Sequence, residues 1–350
     1  MLEDRTSYIL TISFLKVGVS MPCTVVVGGF FGDEGKGKIV AYLALKDEVD
    51  ACARTGSVNA GHTVVWKNVK YGLRMVPSAF VYENCKLYIA PGANVNVDIF
   101  LKEAAETNVK GRIWVDRRSS IIEAKHIELD RATGGQIGTT GQGVGPAIAD
   151  RVRRVAKLAE EVEELKEYLT DVPLELNEIL DRNGKVILEG TQGTFLSLIH
   201  GTYPYVTSRD TTASAICSEA GIGPKRVDEV LLVFKAYVTR VGKGPLEGEV
   251  DREEALRKGW LEKATVTGRE RRAAPFNFNL AQRAVMLNAP TQLAITKLDV
   301  LYPECTGARS FSELSLEAKQ FIRGIEEKLK VPVMLIGTGP GVEDVVDRRF

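Results

Sequence analysis

Gly32-Asp33-Glu34-Gly35-Lys36-Gly37-Lys38 sets two carboxylates and two ammonium groups inside one glycine-rich run. Glycines let backbone N–H groups approach an anion, and the start of a following helix adds partial positive charge. Lys36 and Lys38 add formal charge, so the stretch reads as a polyphosphate site. Gly32-x4-Gly37-Lys38 follows the opening of a P-loop, but Ile39 stands where that loop carries the Ser or Thr that holds Mg2+. A metal would need other ligands, and Asp33 and Glu34 are the candidates within the loop. A carboxylate beside polyphosphate is repelled unless a metal lies between them or the carboxylate takes part in the chemistry.

Further groups follow in order. Asn59-Ala60-Gly61-His62-Thr63 is a second glycine turn, where His62 could donate to a phosphoryl oxygen; His126 and His200 are the other histidines. Thr133 to Pro146 alternates glycine with threonine too densely for regular structure and reads as an anion-binding loop. Asp150-Arg151-Val152-Arg153-Arg154 is a basic cluster that reads as a solvated helix face. Glu189 to Thr194 places polar groups at a strand end, where parallel sheets bind ligands. Gly201 to Ser208 is another loop. Thr267-Gly268-Arg269-Glu270-Arg271-Arg272 offers guanidinium forks that match carboxylates and phosphates. In Thr296-Lys297-Leu298-Asp299, an Asp at a strand end can accept from both the ring N–H and the exocyclic amine of guanine, while adenine would leave those acceptors unpaired. Beside a phosphate loop this suggests GTP.

Alternating strands and helices position these groups. Short β-branched runs predict strands at Thr24–Val27, Leu87–Ala90, Ile113–Val115, Val186–Leu188, Glu229–Tyr237 and Leu293–Thr296, with Val333–Ile336 the last. Helices are expected over Ile39–Ala44, Val97–Ala105, Glu160–Leu169 and Thr211–Ala220. The fold class is α/β: a single large domain with a mostly parallel central sheet, a P-loop-like nucleotide-binding core, helical insertions, and ligand loops at the carboxyl ends of the strands.

The totals narrow the setting. Among 350 residues, 46 Lys+Arg balance 46 Asp+Glu, so no global basic field invites nucleic acid. Five scattered cysteines without a C-x-x-C indicate a reducing, cytoplasmic setting and no structural zinc. No apolar run reaches the length of a membrane span. Residues 1–20 lack a basic n-region and a cleavage site. Met21, just ahead of the first strand, is the expected functional start, with 1–20 an extension and 21–350 the catalytic domain.

The ordered set of motifs, from Val25 to Val342, resembles adenylosuccinate synthetase. It comprises Gly-Asp-Glu-Gly-Lys-Gly-Lys, Asn-Ala-Gly-His-Thr, Ile-Gly-Thr-Thr-Gly-x-Gly-x-Gly-Pro, Glu-Gly-x-Gln-Gly-Thr, His-Gly-Thr-Tyr-Pro-Tyr-Val-Thr-Ser, Thr-Gly-Arg-x-Arg-Arg, Thr-Lys-Leu-Asp and Thr-Gly-Pro. The resemblance implies joining of IMP to L-aspartate with GTP and Mg2+, giving adenylosuccinate, GDP and phosphate, in AMP synthesis. It implies that Asp33 takes the N1 proton of IMP, that the 6-oxygen attacks the γ-phosphate, and that aspartate displaces the resulting 6-phosphoryl group. His62 would stabilise the transferring phosphoryl group, Lys36 would steady the phosphates, and Asp33 and the Gly61 carbonyl would hold Mg2+. GTP would meet Gly32, Glu34, Gly35, Lys36, Gly37, Lys38, Gly61, His62 and Thr63, with guanine at Lys297, Asp299, Gly337, Thr338 and Gly339.

The same resemblance places IMP against Asp33, Asn59, Thr140, Gln192, Thr207 and Arg269. Arg154 would reach IMP in the neighbouring subunit of a homodimer. Thr265, Thr267, Gly268, Arg269 and Arg271 would grip L-aspartate. Departures from the family pattern are Gly28-Gly29-Phe30-Phe31, Thr55-Gly56-Ser57-Val58, Gln142 in place of an arginine and Val266 in place of a threonine. They bear on substrate affinity rather than on the reaction. The chain is also a shortened member, with the missing length expected around 155–185, 273–291 and beyond 300. Two rival readings are a P-loop ATPase or kinase with another acceptor, which does not need Asp299, and a GTP-regulated switch, which needs neither the 133–146 loop nor Arg269 and Arg271.

Overall fold

Cys23, Val25 and Val26 have no exposed surface and Val27 has 1%. A strand apolar on both faces belongs inside a parallel sheet covered by helices. In this computed structural model, which describes residues 22–135, 138–263 and 268–350, that strand lies near the middle of a ten-stranded sheet. The order is β16 (Val345–Asp347), β15 (Val333–Gly337), β14 (Gln292–Thr296), β11 (Glu229–Lys235), β1 (Cys23–Gly28), β10 (Val186–Glu189), β2 (Ala51–Arg54), β5 (Lys86–Ile89), β7 (Ile113–Asp116) and β9 (Leu169–Thr170). Neighbours are parallel throughout, except that β16 runs antiparallel to β15. Three small sheets pair β3 (His62–Trp66) with β4 (Val69–Leu73), β6 (Asn94–Val95) with β8 (Ser120–Ile121), and β12 (Tyr237–Arg240) with β13 (Arg272–Pro275).

Successive strand residues face opposite sides. Val25 and Val27 pack with Phe30, Leu188, Leu232 and Phe234 on one face, and Val26 packs with Ile39, Val40, Ile187 and Leu231 on the other. The helix Lys36–Asp47 follows β1 directly and buries Ile39, Val40, Leu43 and Ala44 on that second face. Its N-terminus therefore opens at the carboxyl edge of the sheet.

Four local expectations are corrected. The strand expected over Glu229–Tyr237 is two elements: β11 stops at Lys235, the Ala236 N–H donates to the Thr296 carbonyl, and Tyr237 opens β12 in another sheet. Glu160–Leu169 is not one α-helix but two 3-10 turns, Ala159–Glu161 and Glu163–Tyr168. The buried residues Ala159, Val162, Leu165 and Tyr168 recur every third position, the period of a 3-10 helix. Val144-Gly145-Pro146 is helical rather than loop, because left-handed Gly143 starts a helix and Pro146 sits in its first turn, where no N–H partner is required. Val333–Gly337 is not the last strand, since β16 closes the edge.

Candidate active site

The phosphate loop is braced from within. Glu34 is 1% exposed, and its carboxylate accepts from Phe30 N (3.0 Å), Gly32 N (2.8 Å) and Lys36 Nζ (2.8 Å). Buried amides need acceptors, and this carboxylate supplies them. Glu34 is thus spent on loop folding, which corrects its candidacy as a metal ligand. Lys36 also donates to the Gln192 carbonyl. Thr296 Oγ1 donates to the Glu34 carbonyl at 2.6 Å, tying β14 to the loop. At Gly28 a Cβ would stand 2.4 Å from Glu34 Oε2, so only glycine fits that close approach.

Asp33 is left-handed at φ 62° and points the other way. Its Oδ2 lies 2.8 Å from Arg271 Nη2, with the side chain 26% exposed. Burial lifts its carboxyl above the ordinary carboxylate value, against the pull of Arg271 and Lys235.

His62, at the start of β3, is 7% exposed. Its Nδ1 is hydrogen-bonded to Glu189 Oε1 from the end of β10, while its buried Nε2 has no partner. Glu189 also accepts from Ser78 N (2.7 Å), Ser78 Oγ (2.6 Å) and Arg54 Nη1 (3.4 Å). Burial would raise the Glu189 carboxyl, but Arg54, His62 and Ser78 outweigh that and hold it at about 2. The anionic acceptor fixes the proton of neutral His62 on Nδ1. Burial, helped by Arg54, lowers His62 to about 4 despite Glu189. Sequence reasoning found His62 and missed Glu189 as its partner.

A cavity of about 490 Å3 opens beside these groups and is lined by Gly32, Asp33, Lys36, Gly61 and His62. Asn59, Thr140, Gln192, Thr207 and Arg269 line it as well. Gln192 Nε2 donates to Asn59 Oδ1 (3.0 Å), and Asn59 Nδ2 donates to Thr207 Oγ1 (3.3 Å), so three separate loops form one wall. Arg269 donates to the Gly138 and Thr139 carbonyls at 3.2 and 3.3 Å, joining the arginine loop to the glycine–threonine loop. Gly268 is left-handed at φ 66°. Thr265, Val266 and Thr267 lie outside the described residues.

Arg154 is exposed at the far end of the helix Val144–Arg153, whose first residues, Val144, Gly145 and Pro146, line the cavity. Eight to ten residues at 1.5 Å each put Arg154 about 12–15 Å along the helix from that wall, beyond the reach of its side chain.

At the other end of the loop, Lys38 Nζ donates to the Gly339 and Asp344 carbonyls, both at 2.6 Å. Burial lowers its ammonium to about 8 despite Asp344 and Asp299. Asp299 Oδ1 is buried without a partner, and burial raises its carboxyl against Lys297 and Lys38. Gly337 would bring a Cβ within 3.2 Å of Lys38 Nζ, and Thr338 is wholly buried, its Oγ1 donating to the Ala308 carbonyl at 2.8 Å. Lys297, Asp299 and the 337–339 turn therefore gather around the far end of the same helix start.

Comparison with known proteins fits this arrangement. The sequence profile of adenylosuccinate synthetase matches residues 25–162 and 153–304. The adenylosuccinate synthetase of Archaeoglobus fulgidus is 51% identical over 333 residues, spanning 94% of this chain and 99% of that protein. The chain belongs to the adenylosuccinate synthetase family. It is a ligase that joins IMP and L-aspartate at the expense of GTP, in AMP synthesis.

The Pyrococcus horikoshii synthetase is 51% identical over 336 residues, again over 94% of this chain and 99% of its own length. The short length is therefore shared with these relatives. Among solved structures, the fully ligated synthetase of Plasmodium falciparum superposes with a TM-score of 0.87 at 25% identity, covering 93% of this chain and 99% of that one. A cyanophage S-2L succinoaminodeoxyadenylate synthetase, bound to dGMP and to dATP as energy donor, superposes at 0.81 with 25% identity, over 94% and 95% of the two chains.

Two departures from the synthetase pattern have visible packing. Phe30 joins an aromatic cluster with Phe234 (4.7 Å) and Phe276 (5.3 Å), and Phe31 lies under the Arg240 guanidinium at 4.4 Å. Gln142 accepts from Arg74 Nη2, so a guanidinium from β4's end stands beside the position that lacks the usual arginine.

Proposed function

We propose that Asp33, His62 and Lys36 carry the phosphoryl-transfer half of the reaction, through a 6-phosphoryl-IMP intermediate. Asp33 takes the N1 proton of IMP, which makes the 6-oxygen a nucleophile toward the γ-phosphate of GTP. A carboxyl raised by burial is a stronger base than an ordinary carboxylate. His62, fixed in place through its Nδ1 contact to Glu189, stabilises the charge that gathers on the transferring phosphoryl group. Lys36 and the loop amides hold the phosphates. L-aspartate then displaces the phosphate through its amine, gripped by Arg269, Arg271, Thr265, Thr267 and Gly268.

IMP lies against Asn59, Thr140, Gln192, Thr207 and Arg269, and GTP runs from Gly32–Lys38, Gly61, His62 and Thr63 to the base pocket at Lys297, Asp299 and Gly337–Gly339. The observation that supports this reading is the single cavity onto which Asp33, Lys36, His62, Asn59, Gln192, Thr207 and Arg269 all open.

Mg2+ fits the same cavity. No cluster of three or more His, Cys, Asp or Glu that could hold a metal occurs among the described residues, but Asp33 and Gly61 both line the pocket. One carboxylate and one carbonyl, completed by phosphates and water, are a usual Mg2+ set. The ion would neutralise charge on the β- and γ-phosphates.

The working unit is a cytoplasmic homodimer in which Arg154 completes the IMP site of its partner, with residues 21–350 as the catalytic domain and 1–20 as an extension. Among the described residues no helix is long and apolar enough to cross a membrane. Phosphate release from GTP, assayed with IMP and L-aspartate omitted in turn, tests the assignment. Release should need IMP, and formation of adenylosuccinate should need both. Rapid release from GTP alone would point to a nucleotide switch instead.

A further inference from the structure

Glu262 draws together more cations than any bookkeeping of the substrates requires. Its Oε2 accepts from Lys235 Nζ (2.8 Å) and Arg271 Nη1 (2.5 Å), its Oε1 accepts from the Tyr237 hydroxyl, and Lys297 Nζ lies 3.8 Å from Oε1. The Arg271 N–H also donates to the Glu262 carbonyl at 2.9 Å, and Lys263 bridges Glu270. Glu262 and Arg271 therefore face each other across the stem of the arginine loop, joined by both backbone and side chain. Tyr237 is itself clamped by Trp260, ring on ring at 5.0 Å and 5°. Held from so many sides, Glu262 is a fixed point.

Asp33 is not. It sits on the phosphate loop at the cavity, a quarter exposed, and takes the other arm of Arg271, Nη2 at 2.8 Å. Arg271 thus has each Nη occupied by a carboxylate of the protein, while its Nε is buried without a partner. A guanidinium grips a carboxylate best through two parallel N–H donors. Glu262 and Asp33 each take one of its five N–H donors, so a substrate carboxylate coming from the cavity meets the Asp33 charge at the arm it would use. Glu262 cannot leave, and Asp33 is the residue that the proposed chemistry draws toward the N1 proton of IMP.

We infer that Arg271 is handed from Asp33 to the carboxylate of L-aspartate, turning on Glu262 as its pivot, so that Glu262 is a positioning residue for the second substrate. The inference rests on the assignment of Arg271 to the aspartate subsite. It makes the empty enzyme a poor binder of L-aspartate for a stated reason: the catalytic carboxylate occupies the arginine that should receive it. Engagement of Asp33 by IMP then frees Nη2, and the two substrates bind in favour of one another.

The test is calorimetric titration of L-aspartate into the protein without nucleotides, so activity does not enter. Asp33→Asn removes the competing charge and should bind L-aspartate about tenfold more tightly than wild type, the worth of one charge-assisted hydrogen bond. Glu262→Gln should bind it about tenfold more weakly, with IMP and GTP affinities within about twofold of wild type, and Glu262→Asp should recover part of the loss. Unchanged or weaker aspartate binding by Asp33→Asn, in a protein that melts normally and binds IMP, overturns the handover. Loss of IMP and GTP binding together with aspartate binding in Glu262→Gln would make Glu262 a general structural support and overturn its role as pivot. Arg271→Leu separates the underlying assignment: if it leaves aspartate binding to the IMP-loaded protein, without GTP, unchanged, Arg271 does not belong to the aspartate subsite at all.

Discussion

Replacing Asp299 by Asn changes one atom's chemistry in the proposed guanine pocket and should be read in one substrate. Asp299 Oδ1 is buried and unpartnered, and burial has already raised its carboxyl against the nearby Lys297 and Lys38. An acceptor held so, without a partner in the protein, is suited to the paired N–H donors of guanine. Asparagine keeps one acceptor but turns an amine toward a guanine donor and removes the charge. Losing a hydrogen bond to a charged group costs about 1.5–3 kcal/mol, which is roughly a 10- to 150-fold rise in Kd for GTP. Xanthine carries an oxygen where guanine carries its exocyclic amine, so XTP gains an acceptor facing the new amide, and the ratio of GTP to XTP use should shift toward XTP. The assay is phosphate release against nucleotide concentration at saturating IMP and L-aspartate, with Kd measured by competition. KM for IMP and for aspartate should stay within about twofold, because Asp299 does not line the cavity assigned to them. An unchanged KM and Kd for GTP would show that another group reads the base.

Asp33→Ala should lower kcat by about 10²–10⁴ while GTP binding falls only modestly; a variant above a tenth of wild-type kcat would exclude Asp33 as the base. His62 is held near 4 in the folded protein against 6.5 when exposed, so between those values the unfolded chain binds a proton that the folded one does not, and stability falls as pH falls through the window. From pH 7 to pH 5 the wild type should lose about 2 kcal/mol more than His62→Asn in urea unfolding, and equal losses would show that His62 is not buried neutral. Arg154→Leu should raise KM for IMP. Mixed with Asp33→Ala under conditions of subunit exchange, it should recover up to one working site per heterodimer, because the site on the Arg154→Leu chain keeps its own Asp33 and borrows an intact arginine. No recovery would confine Arg154 to its own chain, which its distance along the helix from the cavity wall argues against.

The phosphate loop, the strands around it and the order of the ligand loops were legible because each is written in a few adjacent residues. Glycine, lysine and a β-branched run announce a strand, a turn and a helix start without reference to anything distant. The partners of the carboxylates were not legible, since they lie far along the chain. Glu189 meets His62 across 127 residues, and only the parallel pairing of β10 with β2, which runs into the turn before β3, brings them together. Glu34 and Asp33 are neighbours in sequence, yet the left-handed turn at Asp33 sends one carboxylate inward and the other to the cavity. Period-3 burial at Ala159, Val162, Leu165 and Tyr168 could have been read as 3-10 structure, but the charged residues between them imitate a helix face.

Those same contacts separate the acids that hold the site from the acids proposed to act in it. Glu34, Glu189 and Glu262 each meet a buried cation or several donors inside the protein, and Glu189 and Glu262 are driven down to about 2 even though burial alone would raise them. Glu189 and Glu262 thus stay ionised at working pH, and the three acids fix Lys36, His62 and Arg271. Asp33 and Asp299 face the opposite balance: burial dominates their few partners, and both carboxyls rise. A raised carboxyl is one whose burial outweighs the partners the protein gives it, so a proton, a metal or a base edge can take its charge up. The division of labour among these five acids thus follows from how far the fold's own cations outweigh the burial of each.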